Sequence, residues 1–265
     1  MHPIERLRYV ARARGADAES LVRETAGALR GLGLDPSGLV VACRRIVARH
    51  PTCGPLWWLC ARLLTSTDPH VAARSAVVEI GDDRTVDALV DAIPDGITVC
   101  TVGWPVVTGQ ALVRRGDVRV LAVDAGHHGS SFVQRLERHD IECELVPTES
   151  AAIATAAADI VLVEAEALDA SRVVAVTGSA VLAAAAGLAP TPVWAVAGVG
   201  RRLPAAMIAA IIERIGQSFD PWSRECELVP ASLLASIVGP DGRCLPSQVR
   251  PECALAPELL RTGVM

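Results

Sequence analysis

Residues able to do chemistry gather at the ends of short apolar runs in the second part of this chain. They are Cys100 with Gly103, Asp124 with Gly126 and His127, Pro147 with Glu149, Glu164 with Glu166, Gly178 with Ser179, and Gly198 with Gly200 and Arg201. The set holds a thiol, carboxylates suited to proton transfer, and two glycine-rich turns. Gly178-Ser179 opens a predicted helix, where free N–H groups and the positive dipole end suit a phosphate. An unliganded strand-to-helix turn would use the same two residues. Gly198-Val199-Gly200-Arg201-Arg202 adds guanidinium forks, fit for phosphate or for a solvated loop. His127-His128 suggests a metal, but neighbouring side chains seldom point at one ion and no third ligand is spaced with them.

Absences narrow the chemistry further. All 25 basic residues are arginine, which removes every mechanism that needs a lysine amine, from a Walker phosphate loop to a pyridoxal Schiff base. No G-x-G-x-x-G follows the first strand, so no dinucleotide is implied, and the sequence points to no cofactor. A net charge of −5 argues against nucleic acid, which needs a basic face. Eight cysteines behind a charged, non-secretory amino terminus point to free thiols and a cytoplasmic location. Cys43, His50, Cys53 and Cys60 lack the paired spacing of a structural zinc site. The stretch 173–200 carries no charge, yet Gly178, Gly187, Pro190, Pro192 and Gly198 break it into strand, helix and strand rather than a membrane span.

The elements that must position these residues fall into two parts. Residues 1–93 read as helices: 18–32 with a glycine stop, 39–48, 55–64, one starting at Pro69 behind an Asp68 cap, and one capped by Asp82 or Asp83 and running to Ala92. Residues 94–265 then alternate short apolar strands with helices. Strands are predicted at 97–101, 118–123, 143–146, 159–163 and 193–196, with 173–176 as a further candidate. Continuous apolar strands separated by helices predict a Rossmann-like α/β domain with a parallel sheet covered on both faces. Five prolines after Ser223 predict a tail that wraps the surface. In such a sheet, ligands sit beyond the carboxyl ends of the strands, so Cys100, Glu166 and Gly178-Ser179 are expected to converge there.

The order of the motifs resembles a known family. His139-Asp140-Ile141 followed by Glu144-Leu145-Val146-Pro147-Thr148-Glu149-Ser150-Ala151-Ala152 is similar to a family strand ending in a Pro-Asp-Ser-Ala-Ala turn. Ala158 to Glu166 resembles its stretch ending in Gly-Ala-Asp. Val173-Val174-Ala175-Val176-Thr177-Gly178-Ser179 falls where it has Val-Val-Asn-Lys-Ile-Gly-Thr. Pro192-Val193-Trp194 and Leu228 to Pro246 continue the likeness, and Arg14-Gly15-Ala16 resembles its phosphate-contact motif. The family unites the alpha, beta and delta subunits of initiation factor 2B with the isomerases of methylthioribose 1-phosphate and ribose 1,5-bisphosphate.

The resemblance implies a catalytic thiol at Cys100 and a catalytic carboxylate at Glu166, with Arg14, Gly15, Gly103, Gly178, Ser179 and Arg201 at the ligand. It implies a phosphorylated sugar or nucleotide as partner, and pairing of copies into a homodimer or larger. The departures are specific. Glutamate replaces aspartate at Glu166, Ala175 and Val176 replace asparagine and lysine, and the segment Asp124 to His128 lacks the family's arginine. Each lost charge-assisted bond is worth roughly 1.5–3 kcal/mol. The expectation is a non-catalytic binding or regulatory protein. The alternatives are an aldose–ketose isomerase, with Cys100 as acid and Glu166 as base, and a purely structural subunit. A carboxylate beside the thiol is expected to disfavour the thiolate.

Overall fold

A computed structural model describes residues 17–33, 35–217 and 219–261. In chain order the helices are α1 (Ala18–Leu32), α2 (Pro36–Arg49), α3 (Gly54–Thr65), α4 (Pro69–Gly81) and α5 (Thr85–Ala92). They continue with α6 (Val106–Arg115), α7 (Gly129–Glu137), α8 (Ala151–Ala157), α9 (Ser179–Leu188) and α10 (Ala205–Gly216). Two compact units form, and neither is continuous in sequence. The first takes residues up to Asp83, 199–217 and those from Arg250; the second takes 84–198 and 218–249.

The first unit is helical. Asp17, Asp35 and Asp68 accept from the exposed N–H groups that begin α1, α2 and α4, and Pro36 and Pro69 occupy first-turn positions where an N–H is not needed. Helix α3 is its core: Leu56, Trp57, Trp58, Leu59 and Cys60 are all buried. The two later segments are fastened to it by directional bonds. The Arg214 guanidinium lies 4.6 Å from the Trp57 ring and donates to Leu259 O. Arg44 donates to Glu258 O. Glu252 accepts from the N–H groups of Gly200 and Arg202 and pairs with the Arg202 side chain at 2.8 Å. Gly200 has φ +82, and a Cβ there would sit 3.1 Å from Pro55 Cα, so the 199–202 turn needs glycine. Asp83 does not cap the next helix; its Oδ2 accepts from Val199 N, and α5 starts behind Arg84 without a side-chain cap.

The second unit is built on strands β1 (Thr98–Val102), β2 (Arg119–Val123), β3 (Glu142–Val146), β4 (Ile160–Leu168) and β5 (Arg172–Val176). It is completed by β6 (Val193–Val196), β7 (Cys226–Pro230), β8 (Ser236–Gly239) and β9 (Gly242–Cys244). The order β3-β2-β1-β4-β6-β8 is parallel throughout, with β9 antiparallel at its end. Apolar clusters cover both faces, as the continuous apolar runs require. Phe132, Leu136, Leu112, Leu89 and Ile93 lie on one side. Ala151, Ala154, Leu182, Ala183 and Ala186 lie on the other. Because α5 supplies Leu89 and Ile93 to this core, it belongs to the α/β unit.

Two features of the strands also depart from the sequence reading. Strand β4 does not stop at Val163 but runs to Leu168, and its second half pairs antiparallel with β5, which pairs with β7. The tail after Ser223 does not simply wrap the surface: it returns as β7, β8 and β9. Pro230 is tolerated because it ends β7, a strand paired on one side only. The uncharged stretch 173–200 is β5, α9 and β6, and no helix among the described residues is long and apolar enough to cross a membrane.

Candidate functional site

Strands β1 and β4 are neighbours from which the chain departs in opposite directions, toward β2 and β3 on one side and β6 and β8 on the other. Their carboxyl edge is the switch point where open parallel sheets take ligands. Cys100 lies close to it, but in the middle of β1 rather than at its end, paired with Leu121 and Val161. Its side chain is fully buried in the cluster shared by Val102, Val163, Leu182 and Ala183. Burial alone pushes the thiol up to about 12, so it is protonated at neutral pH. The cause is desolvation, not a neighbouring carboxylate.

Glu166 does not follow a strand; it sits within β4. The pairing of β4 with β5 skips from Ala165 to Ala167, which leaves Glu166 as the extra residue of a β-bulge, half-buried. Residues 161, 163 and 165 point into the Cys100 cluster. Strand alternation therefore sends Glu164 to the opposite face of the sheet, where its Oε2 accepts from Thr108 N at 3.0 Å.

That bond is one of three of the same kind. Asp124 Oδ1 accepts from Gly129 N at 2.9 Å, at the start of α7. Glu227 Oε1 accepts from Gly178 N at 2.7 Å and Ala180 N at 2.8 Å, at the start of α9. Helices α6, α7 and α9 all begin at the carboxyl edge of the sheet, and each directs first-turn N–H groups at a carboxylate from this chain. Gly178 and Ser179 are where the sequence places a phosphate. The structure places Glu227 there.

Gly178 itself is held tightly. Its φ is +100, and a Cβ would come within 2.7 Å of Ala125 Cβ and 3.1 Å of Val102 Cγ2. Gly103, at φ +70, sits against Ala125 and Val176. Gly103, Gly178 and the Cys100 strand therefore meet around Ala125 and Val102, with Ser179 buried and its Oγ unbonded among the described residues. Arg201 is buried in the first unit, not in the unit that holds Cys100. Arg14 and Gly15 lie outside the described residues. Sequence reasoning missed Glu227, which is 49 residues from its partner and carried no local motif. Among the described residues no group of His, Cys, Asp and Glu is arranged to hold a metal.

No protein-family model and no curated protein matches the sequence. Solved structures do. The Pyrococcus horikoshii OT3 translation initiation factor eIF-2B superposes with a TM-score of 0.74 over 92% of this chain and 97% of its own, at 18% identity. The fold is that of the initiation factor 2B subunits. The eIF2B beta subunit of Chaetomium thermophilum superposes at 0.68 over 92% of this chain and 86% of its own, at 14% identity. A chain of the tetrameric eIF2B beta2-delta2 complex of the same organism gives 0.69, over 92% and 90%, at 13% identity. An initiation factor 2B fold therefore carries an edge whose helix termini are closed from within.

Proposed function

We propose that this chain is a non-catalytic relative of the initiation factor 2B alpha, beta and delta subunits, acting as a binding or regulatory subunit in an assembly of its own copies. The observation that carries this reading is Glu227. A phosphorylated sugar or nucleotide reaching the start of α9 must displace a carboxylate already bonded to two N–H groups, and it meets the further carboxylates Glu164 and Asp124 along the same edge. Such ligands therefore bind weakly. A thiol pushed up to about 12 is also a slow proton donor at neutral pH.

Assembly is supported by helices α8 and α9, which pack side by side and carry no charged residue in 151–157 or 179–188. Ile153 is 73% exposed and Leu188 is 86% exposed, on faces otherwise made of alanine, glycine and Val181. A second copy covers such a surface without desolvating a charge. The beta2-delta2 tetramer is a precedent for assembly on this fold. Eight cysteines without a disulfide suit a reducing cytoplasm.

The test is turnover of ribose 1,5-bisphosphate and methylthioribose 1-phosphate, together with binding of both and of nucleoside monophosphates by thermal shift. The expected result is no turnover and weak stabilisation. Robust conversion abolished by Cys100→Ser would overturn the reading in favour of an isomerase.

A further inference from the structure

The helical unit holds a cavity that the α/β site does not use. It lies among α1, α2, α3 and α4 and has a volume of about 450 Å3, within the usual range for small-molecule sites. Its walls include Leu29, Leu39, Leu63 and Ala73, all buried side chains without polar atoms. Its charged and titratable groups are Arg30, His70 and Glu258; Arg30 and His70 also border, with Arg74, a shallow depression alongside. Neither Arg30 nor Arg74 is hydrogen-bonded or ion-paired to a described residue. A guanidinium in the last turn of α1 suits the helix dipole, which accounts for Arg30 in part. Arg74, in the body of α4, faces the Asp68 cap, whose carboxyl is held low first by the Val71 N–H bond and further by the Arg74 charge, and its guanidinium remains exposed.

The combination selects a ligand class. The leucine and alanine walls reward hydrocarbon, and of the two hydroxyls that also line the cavity, Ser66 and Thr67, the first is already bonded to Asp68. Guanidinium forks at one end match a carboxylate, and Glu258 weighs against a multiply charged phosphate. We infer that this cavity binds a medium-chain carboxylate, its chain among Leu29, Leu39, Leu63 and Ala73 and its head group at Arg30, His70 and Arg74.

Decanoate, decanol and decyltrimethylammonium, each below its aggregation threshold, are titrated calorimetrically into the full chain. The expected result is saturable decanoate binding, one per chain, about tenfold or more tighter than decanol, with no binding of the cation. Replacing both arginines (Arg30→Gln with Arg74→Gln) brings decanoate down to the level of decanol. Both arginines are exposed, so this variant keeps its fold, checked by an unchanged melting temperature. Ala73→Leu fills the cavity and removes both ligands. Absence of saturable decanoate binding, equal affinity for decanoate and decanol, or indifference to the arginine substitutions would each overturn the inference. None of these results bears on the α/β site, because the cavity lies wholly in the first unit.

Discussion

Removing the carboxylate from the start of α9 tests the closed edge directly. In Glu227→Ala, Gly178 N and Ala180 N lose their acceptor. Hydrogen bonds to a charged group are worth roughly 1.5–3 kcal/mol each, which sets an upper bound of about 3–6 kcal/mol. Glu227 is half-buried, so water replaces part of the loss, and measured cap deletions run at about 0.5–2 kcal/mol. A destabilisation of about 2 kcal/mol follows, or about 4–8 °C in melting temperature for a chain of this size. The assay is thermal unfolding of wild type and variant, each with and without inorganic phosphate. Once the carboxylate is gone, the two N–H groups and the helix dipole form an open anion site. Phosphate at about 100 times its dissociation constant then returns about 2.7 kcal/mol to the variant. Wild type gains little. The reasoning fails if the variant loses less than about 0.5 kcal/mol, or if phosphate stabilises both proteins alike.

Three further outcomes are expected. Gly178→Ala combines a strained φ with a 2.7 Å approach to Ala125 Cβ, and urea titration should find it destabilised by about 3 kcal/mol. Cys100 and Cys253 are both pushed from 9 to about 12, chiefly by burial, so the native state keeps protons that the unfolded chain releases. Stability is therefore full below about pH 9 and falls toward pH 12 by up to about 1.4 kcal/mol per pH unit for each thiol; Cys100→Ala should make that fall shallower in unfolding curves taken across the range. Leu188→Asp puts a charge on the exposed α9 face and should shift light-scattering mass toward the 27.8 kDa of one chain, while wild type stays at twice that or more.

The sequence announced the parallel sheet because β1, β2, the first half of β4 and β6 are buried on both faces and so read as apolar runs. The same signal set the end of β4 too early. Glu164 and Glu166 interrupt the run, although alternation with Ala165 and Ala167 is what a half-covered strand presents. Strand β7 was hidden for a related reason: it is a short edge strand that ends in proline, and its partner β5 is far away in sequence. At the site, Gly178 was legible from its own turn, since a positive φ before a helix favours glycine. Its acceptor was not, because nothing near Glu227 marks it as the cap of a helix on another element. Asp83 shows the converse: local spacing offered it, with Asp82, as a helix cap, and the fold uses it to accept from Val199, 116 residues away.

The discontinuity of the helical unit bears on how the chain is made. Synthesis delivers α1 to α4 first, but Arg214 over Trp57, Glu252 around Gly200 and the carbonyl that receives Arg44 all arrive later. At ribosomal speeds of about 5–20 residues per second, the interval from Asp83 to Glu258 is on the order of ten to forty seconds. Throughout it, Trp57 and Trp58 of α3 lack the part of their final cover that Arg214 and Gly200 supply. Cutting the gene after the early helices would not release a finished module, since Val199 to Gln217 and the residues from Arg250 would be missing from it.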